Sequence, residues 1–185
     1  MAGILQTEVD PQMVLALIAG DRAAQESLFK ELSGPVFTMA KRVLQNQHCA
    51  EEVTQDTFVD VITKADTLRD PSLFTPWVRK IAVNHCYMRL RSPWYQRRDA
   101  LDLVPDSGGE DEATERAVGV TLALAQLKQP ARMIVWLYCV EGYTHDEIAV
   151  LFDKTISFSK SQLARALEIL DTGESDLVDK RRVLN

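Results

Sequence analysis

The span LVPDSGGEDEATE, residues 103–115, cuts the chain in two. Pro105, Gly108 and Gly109 stand among its acids, so it reads as a flexible acidic linker with no packed face of its own. On either side helix formers dominate, and no long alternating strand pattern is present. With 185 residues and an apolar fraction of 46%, each half has enough apolar side chain for a core. The expected architecture is all-α: two small helical domains, residues 10–95 and 117–170, joined by the linker 96–116. A polar, loosely ordered tail, 171–185, follows. Before the linker, Met13, Leu15, Leu17 and Ile18, then Leu28, Leu32, Val36, Phe37, Ala40, Val43 and Leu44, carry helical periodicity. Two further helices are expected near residues 50–65 and 75–91, and beyond the linker two more near 118–127 and 131–140.

The second domain carries the most specific local pattern, EGYTHDEIAVLFDKTISFSKSQLARA, residues 141–166. Thr144 is placed to N-cap a helix with Asp146 and Glu147 in its first turn, and Ile148, Ala149, Leu151 and Phe152 give that helix an apolar face. Asp153 and Lys154 fit a turn. Thr155 or Ser157 then caps a second helix running to residue 170, with Leu163, Ala166 and Leu170 inward and Ser159, Lys160, Gln162 and Arg165 outward. The layout is a helix-turn-helix. Short hydroxyl and amide groups beside cations are what a helix needs to meet base edges and phosphates in a major groove, although two amphipathic helices around a turn also occur in proteins that never meet DNA.

Charge sharpens the first domain. The net charge is −6, but from Lys64 to Arg98 eight cations (Lys64, Arg69, Arg79, Lys80, Arg89, Arg91, Arg97, Arg98) face only Asp66 and Asp70. From Asp99 to Glu115 there are seven acids and no base. A basic face on a folded domain followed by an acidic linker is the expected result. In the helix near 75–91, Lys80, Asn84, Tyr87 and Arg91 share one stripe, and Trp77, Ile81, His85 and Met88 share another that is expected to pack. Cations, an amide and an aromatic suit nucleic acid, unpaired strands included; a solvated basic face over ordinary core aromatics fits those residues equally well.

Other classes find little support. No cationic leader precedes an apolar run and no stretch is long enough to span a bilayer, so a cytoplasmic protein without membrane insertion is expected. Three widely separated cysteines do not make a disulfide framework. No Ser/His/Asp set, Gly-rich phosphate loop or carboxylate pair in a recognisable frame argues for an enzyme. The pairs His48-Cys49 and His85-Cys86 lack ligand spacing, because adjacent helical residues point about 100° apart, so neither a metal nor a cofactor is expected.

Four segments in order, GDRAAQESLFKEL from Gly20, AEEVTQDTF from Ala50, FTPWVRKIAVN from Phe74 and EGYTHDEIA from Glu141, give the chain a resemblance to bacterial sigma factors of the extracytoplasmic-function group. These are the small sigma factors that keep only region 2 and region 4. The resemblance covers nearly the whole chain. It implies core RNA polymerase and promoter DNA as partners, and, since no sensor domain is evident, an anti-sigma factor as controller. AEEVTQDTF corresponds to the polymerase-gripping segment, which makes Glu51, Glu52, Gln55 and Asp56 the expected contacts. Cys49 stands where the family usually has Asp, which implies a weaker or altered contact. Thr54 and Thr57 lie on the same helix, where a phosphate would add negative charge, and are read as ordinary helix residues.

KADTLRDPSLF, residues 64–74, corresponds to the loop that captures a flipped base of the minus-ten element. Leu68 replaces a frequent aromatic there. The minus-ten set that the resemblance implies is Lys64, Leu68, Arg69, Trp77, Arg79, Lys80, Asn84, Tyr87 and Arg91. Trp77 fits either a strand-separating wedge or the core. For the minus-thirty-five element the set is Thr144, His145, Ser159, Lys160, Ser161, Gln162 and Arg165, of which Thr144 and His145 lie near the DNA backbone. Gln162 and Ala164 replace the family's usual arginine and ring-bearing residue, so weak DNA binding by the isolated domain is expected. The linker corresponds to the connector that threads the polymerase cleft; an ordinary soluble spacer fits its charge pattern as well. Two rivals remain: a sigma-like mimic that titrates an anti-sigma factor without initiating transcription, and a helix-turn-helix repressor, which leaves the first-domain segments unexplained.

Overall fold

The computed structural model describes residues 7–100 and 115–183. Among these residues every regular element is helical, as the periodicity predicts. The chain forms two units, Met1–Gly108 and Gly109–Asn185.

In the first unit, short polar side chains start the helices. Asp10 accepts from the Gln12 N–H (2.9 Å) to open α1 (Pro11–Ile18), and Asp21 accepts from Ala24 (2.8 Å) to open α2 (Arg22–Leu44). Asn46 accepts from Cys49 (2.7 Å) and starts α3 (Gln47–Thr63), earlier than periodicity alone predicts, because a cap acts one turn before the apolar pattern begins. Helix α2 continues through Gly34 and Pro35. An interior proline costs about 3 kcal/mol, which burial of Leu28, Leu32, Val36, Met39, Ala40, Val43 and Leu44 along its two halves offsets. Of the apolar residues of α1, Val14 and Leu17 are the ones that reach the core, and Leu15 is exposed.

Helix α3 packs against both α2 and α4 (Phe74–Arg91), to which it is joined by 3₁₀ turns at Ala65–Thr67 and Pro71–Leu73. The packing stripe of α4 is Phe74, Val78, Ala82 and Cys86, with Val83 and Leu90 beside it. This corrects the sequence expectation: Trp77, Ile81 and His85 are half-buried and Met88 is 64% exposed. The helix is turned by roughly one residue, about 100°. Helix α5 (Pro93–Ala100) is anchored by Tyr95, whose hydroxyl donates to the Leu44 carbonyl, and so the first residues of the expected linker are helical. Residues 101–114 of that linker lie outside the described residues.

The second unit comprises α6 (Glu115–Ala125), α7 (Ala131–Cys139), α8 (His145–Phe152) and α9 (Ile156–Val183). Leu124, Leu127, Met133, Ile134, Trp136, Leu137, Ile148, Leu163 and Ala166 form its core. Among the described residues, three polar side chains are buried with them. Arg132 donates from Nε to the Leu124 carbonyl (2.9 Å) and from a terminal nitrogen to Leu127, closing the C-terminal end of α6. Glu141 accepts from the Trp136 indole N–H (3.2 Å), pinning the start of the α7–α8 loop, and Gly142 turns that loop with φ +69°. The third is Ser159. Helix α9 continues through Val183, so the backbone of the expected loose tail is helical up to that residue.

Candidate nucleic-acid interface

The exposed side of α4 is where the candidate minus-ten residues gather. Lys80, Asn84 and Arg91 are exposed on one stripe, with Tyr87 half-buried at its edge and the Arg91 guanidinium 5.6 Å from the Tyr87 ring centroid. Trp77 borders this stripe. It is half-buried, with its ring 6.1 Å from that of the buried Phe74, so one face packs while the rest is presented beside Lys80 and Asn84. Arg79 does not join them. It is half-buried about 100° round the helix from Lys80, outside the exposed stripe.

The loop before α4 is tied down by acids. Asp70 accepts from the Ser72 N–H (2.9 Å) and hydroxyl (2.7 Å), and these bonds hold its carboxyl below the usual carboxylate range. Leu68 is half-buried and Arg69 exposed. Lys64 is engaged within the protein, its Nζ 2.8 Å from Asp60, whose other oxygen meets His85 Nε2 at 3.0 Å. The bond from Lys64 is the main cause that lowers the Asp60 pKa; His85 adds to it and partial burial opposes it.

On α3, Glu51, Gln55 and Asp56 are exposed, whereas Glu52 leans towards α4 and pairs with Arg89 at 3.0 Å. Residues that the sequence reading did not single out continue this face. Val59 is 59% and Ile62 44% exposed, at i+8 and i+11 from Glu51, so the acidic end of the stripe runs into an apolar one. Helical register from Glu51 is the signal that finds them. Cys49 is buried, and Thr54 and Thr57 are buried with their hydroxyls donating to the Ala50 and Val53 carbonyls at 2.8 and 2.7 Å. None of the three presents its side chain at the surface.

In the second unit the helix-turn-helix is built by its caps. Thr144 and Glu147 form a capping box: the Glu147 N–H donates to Thr144 Oγ1 (3.2 Å) and the Thr144 N–H to Glu147 Oε2 (2.8 Å). Asp153 ends α8 in the left-handed region, at φ 52°, and the Thr155 hydroxyl accepts from Phe158 N–H (3.2 Å) at the start of α9. Lys160, Ser161 and Arg165 are exposed on α9, and Gln162 is half-buried. Ser159 corrects the expectation of an outward contact. It is fully buried at 0% exposure, because helical register puts it in line with Leu163 and Ala166, and its hydroxyl meets His145 Nδ1 at 2.9 Å. The His145 ring in turn stacks on Tyr138, centroids 4.5 Å apart and planes 21° apart. Among the described residues no cluster of His, Cys, Asp or Glu is arranged to hold a metal, and no helix is long and apolar enough to cross a membrane.

Comparison with known proteins matches both units. Sigma-70 region 2 matches residues 28–95 and sigma-70 region 4 residues 118–170. The chain is 26% identical over 157 residues to the ECF RNA polymerase sigma factor SigM of Mycobacterium tuberculosis, covering 85% of this chain and 80% of that protein. It is 26% identical over 183 residues to the RNA polymerase sigma-H factor of Pseudomonas aeruginosa, covering 91% and 95%. Its fold is similar to that of the sigma factor RpoE, solved in complex with the anti-sigma factor NepR from Bartonella quintana, with a TM-score of 0.55 and 20% identity over 76% of this chain and 89% of that one. The chain belongs to the sigma-70 family, in its extracytoplasmic-function group. As a sigma factor it binds core RNA polymerase and promoter DNA.

Proposed function

We propose that the two units divide promoter recognition between them, with the exposed stripe of α4 engaging the minus-ten element and α9 the minus-thirty-five element. The observation that carries this reading is the grouping of Lys80, Asn84 and Arg91 on one exposed face beside the half-buried Trp77. Cations neutralise the strand backbone, the amide offers both a donor and an acceptor to a base edge, and the indole edge is a surface on which an unpaired base stacks. Lys64, paired with Asp60 at the end of α3, leads into the loop on which Leu68 and Arg69 meet an extruded base. In the second unit, Lys160, Ser161 and Arg165 face the groove, with Gln162 at their margin.

The stripe of α3 from Glu51 through Gln55 and Asp56 is the polymerase-facing surface in this proposal. Its carboxylates steer a basic partner, and the apolar continuation is buried on docking. Glu52 takes a smaller part, since it already pairs with Arg89. The factor acts in the cell interior and catalyses no bond chemistry of its own; polymerase does. An anti-sigma factor governs its availability, a reading supported by the complex in which the structurally similar RpoE was solved. The rival, a mimic that only titrates such an inhibitor, has no use for an exposed strand-contacting face, and that face is present here.

Run-off transcription with core polymerase and genomic promoter fragments tests the proposal. Specific transcripts that depend on the protein, and that drop at least about tenfold in Lys80→Ala/Asn84→Ala through loss of transition-state contacts, are expected. Polymerase binding without any transcript favours the mimic.

A further inference from the structure

Among the described residues of α9, Ser159 is the one buried polar side chain. The buried threonine hydroxyls of α3, Thr54 and Thr57, donate to the carbonyl one helical turn back. Ser159 Oγ instead meets His145 Nδ1 on the neighbouring helix, its one hydrogen-bonding partner among the described residues. This pairing determines where the imidazole carries its proton. Were Nδ1 protonated, it would donate to Oγ and leave the hydroxyl hydrogen enclosed without an acceptor, an arrangement folded proteins avoid. Nδ1 therefore accepts, and the ring proton sits on Nε2. That nitrogen has no hydrogen-bond partner among the described residues, and His145 is half-buried, with part of its side chain at the surface. Stacking on Tyr138 fixes the ring plane.

We propose that Ser159 is a positioning residue for DNA binding: through His145 it fixes the Nε2–H tautomer and presents that N–H as a donor to a backbone phosphate oxygen. The inference rests on the reading of α8 and α9 as the DNA-binding pair. It replaces the expected direct contact by Ser159 with an indirect one, and gives His145 a defined role. A hydrogen bond of this kind positions the helix on the duplex without reading sequence.

The test has two parts. In the intact protein labelled with ¹⁵N-histidine, which has only three histidines, the His145 resonances identified with a His145→Gln variant are expected to show the Nε2–H tautomer. An Nδ1–H tautomer overturns the proposal. The second part measures polymerase holoenzyme affinity for a promoter fragment selected by run-off transcription. Loss of one phosphate bond in Ser159→Ala is expected to weaken binding about fivefold. In the His145→Gln background, where the amide supplies the outward N–H without needing a tautomer, the same change is expected to cost less than about twofold. Equal losses in both backgrounds make Ser159 merely structural and overturn the proposal. Lys160→Ala/Arg165→Ala separates the two levels of the argument. If that variant weakens binding and Ser159→Ala does not, the proposal alone falls; if neither does, the DNA-binding reading of α9 fails and takes the proposal with it.

Discussion

Between α3 and α4 the polar contacts lie at the rim. Glu52 meets Arg89 and Asp60 meets His85 at 3.0 Å each, at the margin of a core whose buried threonines bond within their own helix. In the second unit the polar contacts lie inside: Arg132 on the carbonyls at the end of α6, Glu141 on the Trp136 indole, Ser159 on His145. The contrast follows from size. A small domain buries a lower fraction of its surface, so apolar area alone specifies less, and directional bonds supply the rest. The first unit should therefore be most sensitive to lost packing and the second to lost polar partners.

The sharpest challenge is Leu32→Ala, at a fully buried position of α2. A cavity there is expected to cost about 3 kcal/mol, read by hydrogen exchange as lost protection across α2, α3 and α4 with the second unit unchanged. Loss spread evenly over both units would break the comparison. Next in size is Arg132→Met, which keeps much of the side-chain volume and removes both donors. The Leu124 carbonyl keeps its bond from the Leu127 N–H (3.1 Å), but losing its second donor and stranding the Leu127 carbonyl is expected to cost about 2 kcal/mol, with exchange accelerating first at the end of α6. A neutral result would mean that packing, not hydrogen bonding, holds this unit.

The smallest effect tests the rim. Asp60 has a lowered pKa in the folded protein, so its stabilisation is present above the ordinary value of 3.8 and is lost as pH falls through the folded value. Thermal melting of the wild type and Asp60→Asn is expected to differ by less than about 1 kcal/mol at neutral pH, and the difference should vanish below the folded value. A difference that persists unchanged into strong acid would show that the Asp60 carboxylate is not its source.

Much of the candidate site was legible because it depends on neighbours in the chain. The stripe Lys80, Asn84, Arg91 follows from helical register, and the helix-turn-helix from caps at Thr144 and Thr155 and a turn at Asp153. Misreadings occurred where register is ambiguous. Trp77, Ile81, His85 and Met88 are a plausible packing stripe by composition, but adjacent Phe74, Val78, Ala82 and Cys86 is the one that α3 accepts. Ser159 was placed outward on its polar character beside Lys160, although register puts it in line with the inward Leu163 and Ala166; what register does not reveal is its buried partner, His145.

Sequence alone determined the helical class, the two-part division, the charge blocks and the order of the sigma-like segments, since caps, periodicity and composition act over a few residues. Only the tertiary structure decided which side of α4 is buried, that Glu52 is already engaged by Arg89 and Asp60 by His85, and that Ser159 is buried against His145. Each of those depends on a partner distant in sequence or brought close by packing, and the free energy of burying or pairing a group is set by that partner rather than by the group itself.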